Sequence, residues 1–167
     1  MVRVENILDY LPHREPMVML DGVEIDRLTV LCPEGRDRQS RMDNAQCTVV
    51  YATLLVKETN WFYADGVLTE SGLMEHMAQS VCVQLQVTGD RGQVTDSPKI
   101  GYLAEVKNMT IRRLPVLNEQ LRTRIEVIAV VDEAIVVSAE TQVQGETIAE
   151  GMLTIFVPDS DAERRAQ

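Results

Sequence analysis

The stretch "GLMEHMAQSVCVQL", residues 72–85, decides the fold of this chain. Its apolar residues recur at intervals of three and four, which places them on one face of an α-helix. The pattern therefore predicts one long buried helix that begins at an N-cap, Ser71, and leaves through the turn-rich residues 88–92. The residues of the predicted buried face are Leu73, Met74, Met77, Ala78, Val81, Cys82 and Leu85.

Polar side chains interrupt this apolar helix. Glu75 lies near its start, and Gln79 follows one turn later, on the same side of the helix, where it can orient the carboxylate. His76 comes directly after Glu75 and lies about 100° further round the helix axis, on the polar face with Ser80. We therefore predict that His76 is a surface or dimer-contact histidine that points away from Glu75.

The sequence before and after this helix is mainly of strand type. A short amphipathic helix is expected over residues 4–11, and a pair of strands over residues 16–31 and 47–57, separated by a polar loop at 33–46. After Lys99 four strand-like segments are separated only by "PVLN", "DE" and "QGE", which suit antiparallel connections. This order predicts an α+β fold in which one long central helix is wrapped by a curved antiparallel sheet.

The composition limits the classes of partner. At 167 residues with 45% hydrophobic content, the chain fits one domain with a sizeable core. A net charge of -10 argues against nucleic acid or an anionic membrane surface as partner. The cysteines Cys32, Cys47 and Cys82 form no metal-binding pattern, so we expect free thiols and no metal. With no signal peptide or membrane-spanning run, a cytoplasmic location is expected.

Two motifs resemble a known family. "ILDYLPHREPMVMLDGV", residues 7–23, resembles the N-terminal "LPHRxPxxxxDxV" signature of hotdog-fold (3R)-hydroxyacyl-[acyl carrier protein] dehydratases, and "GLMEHMAQSV" resembles their central-helix "ExMAQ" motif. The resemblance is closest to the branch associated with aryl-polyene and flexirubin-type pigment clusters. It implies a single hotdog domain over residues 1–157, followed by a polar tail at 158–167.

The family resemblance also implies an activity, which needs no cofactor. Such a protein removes water from a 3-hydroxyacyl thioester on acyl carrier protein, and works as a homodimer or higher oligomer with substrate tunnels at the dimer interface. A carboxylate on the central helix of one subunit faces a histidine of the other, because the reaction needs both a base and an acid. Glu75 and Gln79 match the family's helix residues, and the helix start near Gly72 would polarise the thioester carbonyl.

The sequence departs from the family where the catalytic histidine is expected. That histidine lies in "GHFPxxPVMPG", fourteen residues before the glutamate, and the corresponding residue here is Trp61. Trp61 and Phe62 lie in the loop that lines the tunnel mouth in the family, which makes them candidate substrate-binding residues. His13, in "LPHR", matches the N-terminal motif; it is either a further substrate-binding residue or a structural one beside Pro12.

Several functions remain open on this basis. Glu75 could act alone, as base and then as acid through a water molecule. The chain could instead be a non-catalytic acyl-binding subunit, or pair with a related hotdog subunit that supplies the histidine. A hotdog thioesterase is a further alternative, since such enzymes use a single helix carboxylate to activate water.

Docking of acyl carrier protein requires positive charge, because the carrier is acidic. Basic residues outnumber acidic ones between positions 99 and 126, in contrast to the whole chain. We expect Arg112 and Arg113 to bind the phosphopantetheine phosphate.

Overall fold

The structure is a computed structural model that describes residues 2–4, 6–26, 49–88 and 101–158. The predicted loop at 33–46, the cysteines Cys32 and Cys47, and the tail beyond residue 158 lie outside the described residues.

The described chain contains one long helix and a run of long strands after it, as predicted. In chain order the elements are β1 (Val2–Arg3), β2 (Gly22–Asp26), β3 (Val49–Leu55), β4 (Tyr63–Ala64), β5 (Val67–Leu68), α1 (Glu70–Thr88), β6 (Tyr102–Ile111), β7 (Gln120–Val131), β8 (Ala134–Val143) and β9 (Glu146–Phe156).

The seven-stranded sheet has the order β1-β2-β3-β7-β8-β9-β6, and every neighbouring pair is antiparallel. A tight turn joins β8 to β9, and its two residues, Gln144 and Gly145, have φ values of 51° and 86°. Such left-handed turns match the twist of the strands that they join. Strands β4 and β5 form a separate small hairpin just before α1.

Helix α1 lies against one face of this curved sheet and makes its contacts with β3, β7 and β8. Leu73, Met77 and Val81 are fully buried and belong to the same core cluster as Leu121 and Ile125 of β7. Each such burial contributes about 1.5–3 kcal/mol. This arrangement confirms the predicted α+β architecture, with one helix packed on a curved antiparallel sheet.

The buried face of α1 is rotated relative to the prediction. His76 and Ser80, which were expected on a solvent-exposed face, are fully buried, whereas Met74, Ala78 and Cys82 are only partly buried. The prediction was wrong because it took polar side chains as exposed. Ser80 Oγ donates to the His76 carbonyl oxygen at 2.6 Å, and both ring nitrogens of His76 have hydrogen-bond partners. These side chains can therefore be buried without leaving polar atoms unpaired.

The start of α1 also differs from the prediction. The helix begins at Glu70, and the Thr69 hydroxyl accepts a hydrogen bond from the Gly72 amide at 3.3 Å, so Thr69 is the N-cap and Ser71 lies inside the first turn. At the N-terminus, the expected helix over residues 4–11 is only a three-residue 3-10 turn, Ile7–Asp9. Pairing of β1 with β2 draws the residues before this turn into the sheet.

Within the described residues, the one long helix is not apolar enough over its length to cross a lipid bilayer.

Candidate active site

The "LPHR" motif lies in an extended segment, residues 11–21, that we call the arm. Leu11 is 1% exposed and anchors the arm in the core. The Arg14 guanidinium donates to the carbonyl oxygens of Leu11 and His13, at 2.7 and 2.8 Å. At the other end, Asp21 accepts a hydrogen bond from the Leu55 amide of β3. The motif residues therefore fix the conformation of the arm from both ends.

The arm brings His13 to Glu75. His13 Nε2 lies 3.5 Å from Glu75 Oε1, and the two side chains are 35% and 26% exposed. The same carboxylate oxygen accepts a hydrogen bond of 2.7 Å from Gln79 Nε2. The predicted contact between Gln79 and Glu75 is therefore present, and His13, which the sequence could not place, is its third member. Histidine and carboxylate both come from one chain.

Gln79 is held in one orientation by the arm. Its Oε1 accepts from the Met19 amide at 2.8 Å, and its Nε2 donates to the Met17 carbonyl oxygen at 2.7 Å as well as to Glu75. An amide with its oxygen on a donor and its nitrogen on two acceptors cannot be flipped without losing all three bonds. Gln79 therefore always presents an N–H group to the Glu75 carboxylate.

His76 lies beside this group and is fully buried. Its Nδ1 is 2.7 Å from the Met19 carbonyl oxygen, and its Nε2 is 2.8 Å from Thr123 Oγ1, which in turn lies 2.7 Å from Thr141 Oγ1. Burial lowers the pKa of His76 to about 4, against smaller opposing effects of the Met19 hydrogen bond and the Asp21 charge. The ring is therefore neutral near pH 7, and it is a core residue rather than the surface histidine that the sequence predicted.

The small hairpin β4–β5 covers the start of the helix. Phe62 packs against the core, and a Cβ atom added to Gly72 would lie 2.5 Å from Phe62 Cβ, so only glycine allows this close approach. The Gly72 amide donates to Thr69 Oγ1 at 3.3 Å. Trp61 is 62% exposed, and Asp65 lies in the hairpin turn with a φ of 52°.

Comparison with known proteins identifies the family of this chain. The family model of the ApeP dehydratase matches residues 37–167. The chain belongs to the ApeP-like dehydratase family. The matched range includes Glu75, Gln79 and His76 but begins after the arm that carries His13.

Solved structures show the same hotdog fold as this ApeP-like protein. The dehydratase heterocomplex ApeI:P from Xenorhabdus doucetiae is similar over 98% of both chains, with 18% identity and a TM-score of 0.71. A hypothetical thioesterase protein with coenzyme A from Streptococcus pneumoniae is 16% identical, with a TM-score of 0.52 over 66% of this chain and 78% of that one. The E. coli PaaI protein from the phenylacetic acid degradation operon is 11% identical, with a TM-score of 0.53 over 66% and 73%.

The comparison with curated proteins gives no match. Family and fold together make this chain a dehydratase-like hotdog protein. The thioesterase-like neighbours fit the lesser alternative that the sequence left open.

The two arginines expected to bind phosphate already have carboxylate partners in this ApeP-like protein. Arg113 donates to Glu119 at 2.9 and 3.1 Å and to Glu146 at 3.2 Å, and Arg112 is paired with Glu150. Hydrogen bonding to Arg113 lowers the pKa of Glu119, so that carboxylate stays charged beside it. A phosphate that docks at these arginines would have to compete with Glu119 and with two carboxylates of β9.

Proposed function

We propose that this protein dehydrates a (3R)-3-hydroxyacyl thioester on acyl carrier protein to the trans-2-enoyl thioester. The observation that carries the proposal is the contact between His13 Nε2 and Glu75 Oε1 at 3.5 Å. The family's usual loop histidine is replaced by Trp61, and His13 offers the second titratable group that the reaction needs.

The pair can move the two protons of the reaction. The hydrogen bond from Gln79 Nε2 orients the Glu75 carboxylate, which acts as the base and accepts the proton from the carbon next to the thioester carbonyl. His13, in its protonated form, donates a proton to the hydroxyl on the next carbon, so that the C–O bond breaks and water leaves. Transfer of the proton from Glu75 to His13 restores the starting state, and no cofactor enters the balance.

The position of Glu75 in the second turn of α1 supports the same reaction. Negative charge develops on the thioester oxygen when the neighbouring carbon loses its proton. The N-terminal end of a helix carries a positive partial charge that stabilises such an anion, even though the Gly72 amide itself is bonded to Thr69. Phe62 and Trp61 would line the acyl chain's path from this point.

Turnover of a 3-hydroxyacyl group on carrier protein, followed by mass spectrometry of the acyl group, tests the proposal. We expect loss of water with the wild type, and a drop in kcat of at least about 100-fold for Glu75→Gln and for His13→Asn, since a positioned acid or base contributes that much. Glu70→Gln is the matched control, because Glu70 is an exposed glutamate five residues earlier in the same helix.

The product distinguishes the alternatives. Release of the free acid instead of the enoyl thioester would assign the protein to the thioesterases. Normal dehydration by His13→Asn would exclude His13 from the reaction and leave Glu75 acting alone. Absence of any turnover would favour the non-catalytic acyl-binding subunit.

A second proposal concerns the assembly: the protein works with another hotdog subunit, either a second copy or a related chain. The relative from Xenorhabdus doucetiae is described as a heterocomplex. Strand β6 supports the idea, because it ends the sheet with ten residues whose outer edge is unpaired within the described chain. Such edges are sites at which a second sheet can add.

A further inference from the structure

The buried histidine of α1 is unexplained by the proposed reaction. His76 touches neither solvent nor the Glu75 carboxylate in the described contacts, yet both of its ring nitrogens have partners that lie far away in the sequence. One partner, the Met19 carbonyl oxygen, belongs to the arm that carries His13. The other, Thr123 Oγ1, belongs to the first part of β7 in the sheet.

The tautomer of His76 follows from these partners. A carbonyl oxygen can only accept a hydrogen bond, so Nδ1 must carry the proton and donate to Met19. In the neutral ring Nε2 is then an acceptor, and it takes the Thr123 hydroxyl proton. Thr123 Oγ1 in turn accepts from Thr141, so the donors run in one direction, from Thr141 to Thr123, to His76 and to the arm.

Gln79, which follows His76 by one turn of α1, binds the same short segment of the arm. It holds the Met17 carbonyl and the Met19 amide, while His76 holds the Met19 carbonyl. Three side-chain hydrogen bonds thus fix residues 17–19 on the helix, four residues after His13. His13 itself has no such anchor, since its Nδ1 is buried without a partner in the described part of the chain and its Nε2 faces Glu75.

We infer that His76 is a positioning residue, which fixes the arm on the helix through Met19 and so keeps His13 within reach of Glu75. The expected effect of this role on turnover rests on the proposed dehydration. The anchoring of the arm does not, because it is a property of the fold. It also explains why a histidine is buried on this helix: the bond between Nε2 and Thr123 fixes the orientation of the ring, and the bond from Nδ1 to Met19 holds the arm.

The tautomer can be measured without any substitution. The chain has two histidines, so long-range ¹H–¹⁵N correlation spectra of the wild type at neutral pH give two ring patterns. We expect one ring, that of His76, to be neutral with its proton on Nδ1. A proton on Nε2 with a bare Nδ1 would overturn the inference, because such a ring cannot donate to the arm.

Two substitutions test the two hydrogen bonds of the ring separately. His76→Asn places an amide nitrogen near the position of Nδ1 and can still donate to Met19, whereas His76→Gln reaches towards Thr123 and leaves the arm without its donor. Hydrogen exchange of the amides of residues 17–19 should rise about tenfold in the Gln variant, the effect of one lost hydrogen bond, and much less in the Asn variant. Equal exchange in both folded variants and the wild type would overturn the anchoring.

Turnover then tests the consequence for the site. The Gln variant should lose kcat at nearly unchanged KM, with recovery in the Asn variant, because the pair is misplaced while the acyl group still binds. Faster exchange with unchanged kcat would show that the pair does not depend on the anchor and would overturn the positioning role. If the wild type itself shows no turnover, the proposed function fails, and the exchange and tautomer measurements still decide whether His76 anchors the arm.

Discussion

His76 is a histidine whose ring stays neutral in the folded protein. Burial lowers its pKa to about 4, from 6.5 in a free chain. In the unfolded chain the ring takes up a proton as the pH falls below 6.5, but the folded protein takes it up only near pH 4. The stabilisation from the neutral ring is therefore present at pH 7 and is lost progressively between pH 6.5 and pH 4.

We predict that the free energy of unfolding falls with pH across this window by about 3 kcal/mol on account of His76 alone. Urea denaturation at about pH 7 and about pH 4.5 measures the fall. His76→Asn, which cannot titrate, should show a smaller fall than the wild type. An equal fall in both proteins would contradict the assignment and place the acid sensitivity in other groups.

At the residue scale, Glu75 and Gln79 were predictable and their partners were not. Glu75 and Gln79 are one helical turn apart, so local spacing was enough to predict their contact. The partners of His76 lie 57 and 47 positions away, and His13 comes from the arm. A helical wheel contains no information about such neighbours, and for that reason it placed His76 in solvent.

The N-cap decides where the central helix begins. Thr69 closes the first turn through Gly72 and also accepts, through its backbone carbonyl, the Leu73 amide at 3.0 Å. Its own amide donates to the Phe62 carbonyl at 3.0 Å, so the cap residue ties the β4–β5 hairpin to the helix. Loss of the hydroxyl should weaken the first turn of α1, which directly precedes the turn that carries Glu75.

We predict that Thr69→Ala lowers the free energy of unfolding by about 1 kcal/mol, the usual effect of removing a cap hydroxyl. Ser71→Ala is the matched control: Ser71 is exposed in the first turn, and its loss should change stability by less than about 0.5 kcal/mol. Thermal or urea denaturation of the two variants gives the comparison. A larger loss of stability for Ser71→Ala than for Thr69→Ala would contradict this assignment and favour Ser71 as the N-cap, as the sequence suggested.

At the element scale, the long strands were the most predictable part of the fold. Strands β6 to β9 lie within the predicted segments, because each is an apolar and β-branched run bounded by a turn. The pairing of charged side chains was less predictable, because the sequence shows which residues are neighbours along a strand but not which are neighbours across strands. Arg112 and Arg113 are opposed by Glu150 and Glu146 of β9, which the sequence places more than thirty positions later.

On the scale of the whole molecule, β6 is the feature that links the chain to its assembly. It pairs only with β9 in the described sheet, and its apolar residues Tyr102 and Leu103 are 52% and 43% exposed. An exposed strand of this length is an aggregation hazard unless another chain covers it. The fold itself was predictable from one chain, but the sequence has no signal for which chain completes the sheet.

We predict that the protein alone has the mass of two chains in solution and that Leu103→Asp lowers this mass towards that of one chain, because it places a charge in the joined sheet. Light scattering coupled to size-exclusion chromatography measures it. Ile128→Asp is the control: Ile128 is 53% exposed but lies on β7, in the interior of the sheet order. If Leu103→Asp keeps the mass of two chains, or if both variants lose it equally, β6 is excluded as the joining edge.

The exposed side chain at the start of the β4–β5 hairpin gives the molecule an intrinsic optical probe. The chain has a single tryptophan, Trp61, and 62% of it is exposed in the isolated subunit. All tryptophan fluorescence therefore reports from one point beside the helix start. A shift of its emission to shorter wavelength on addition of carrier protein or of a second subunit would reveal which of them covers that point, with no label attached.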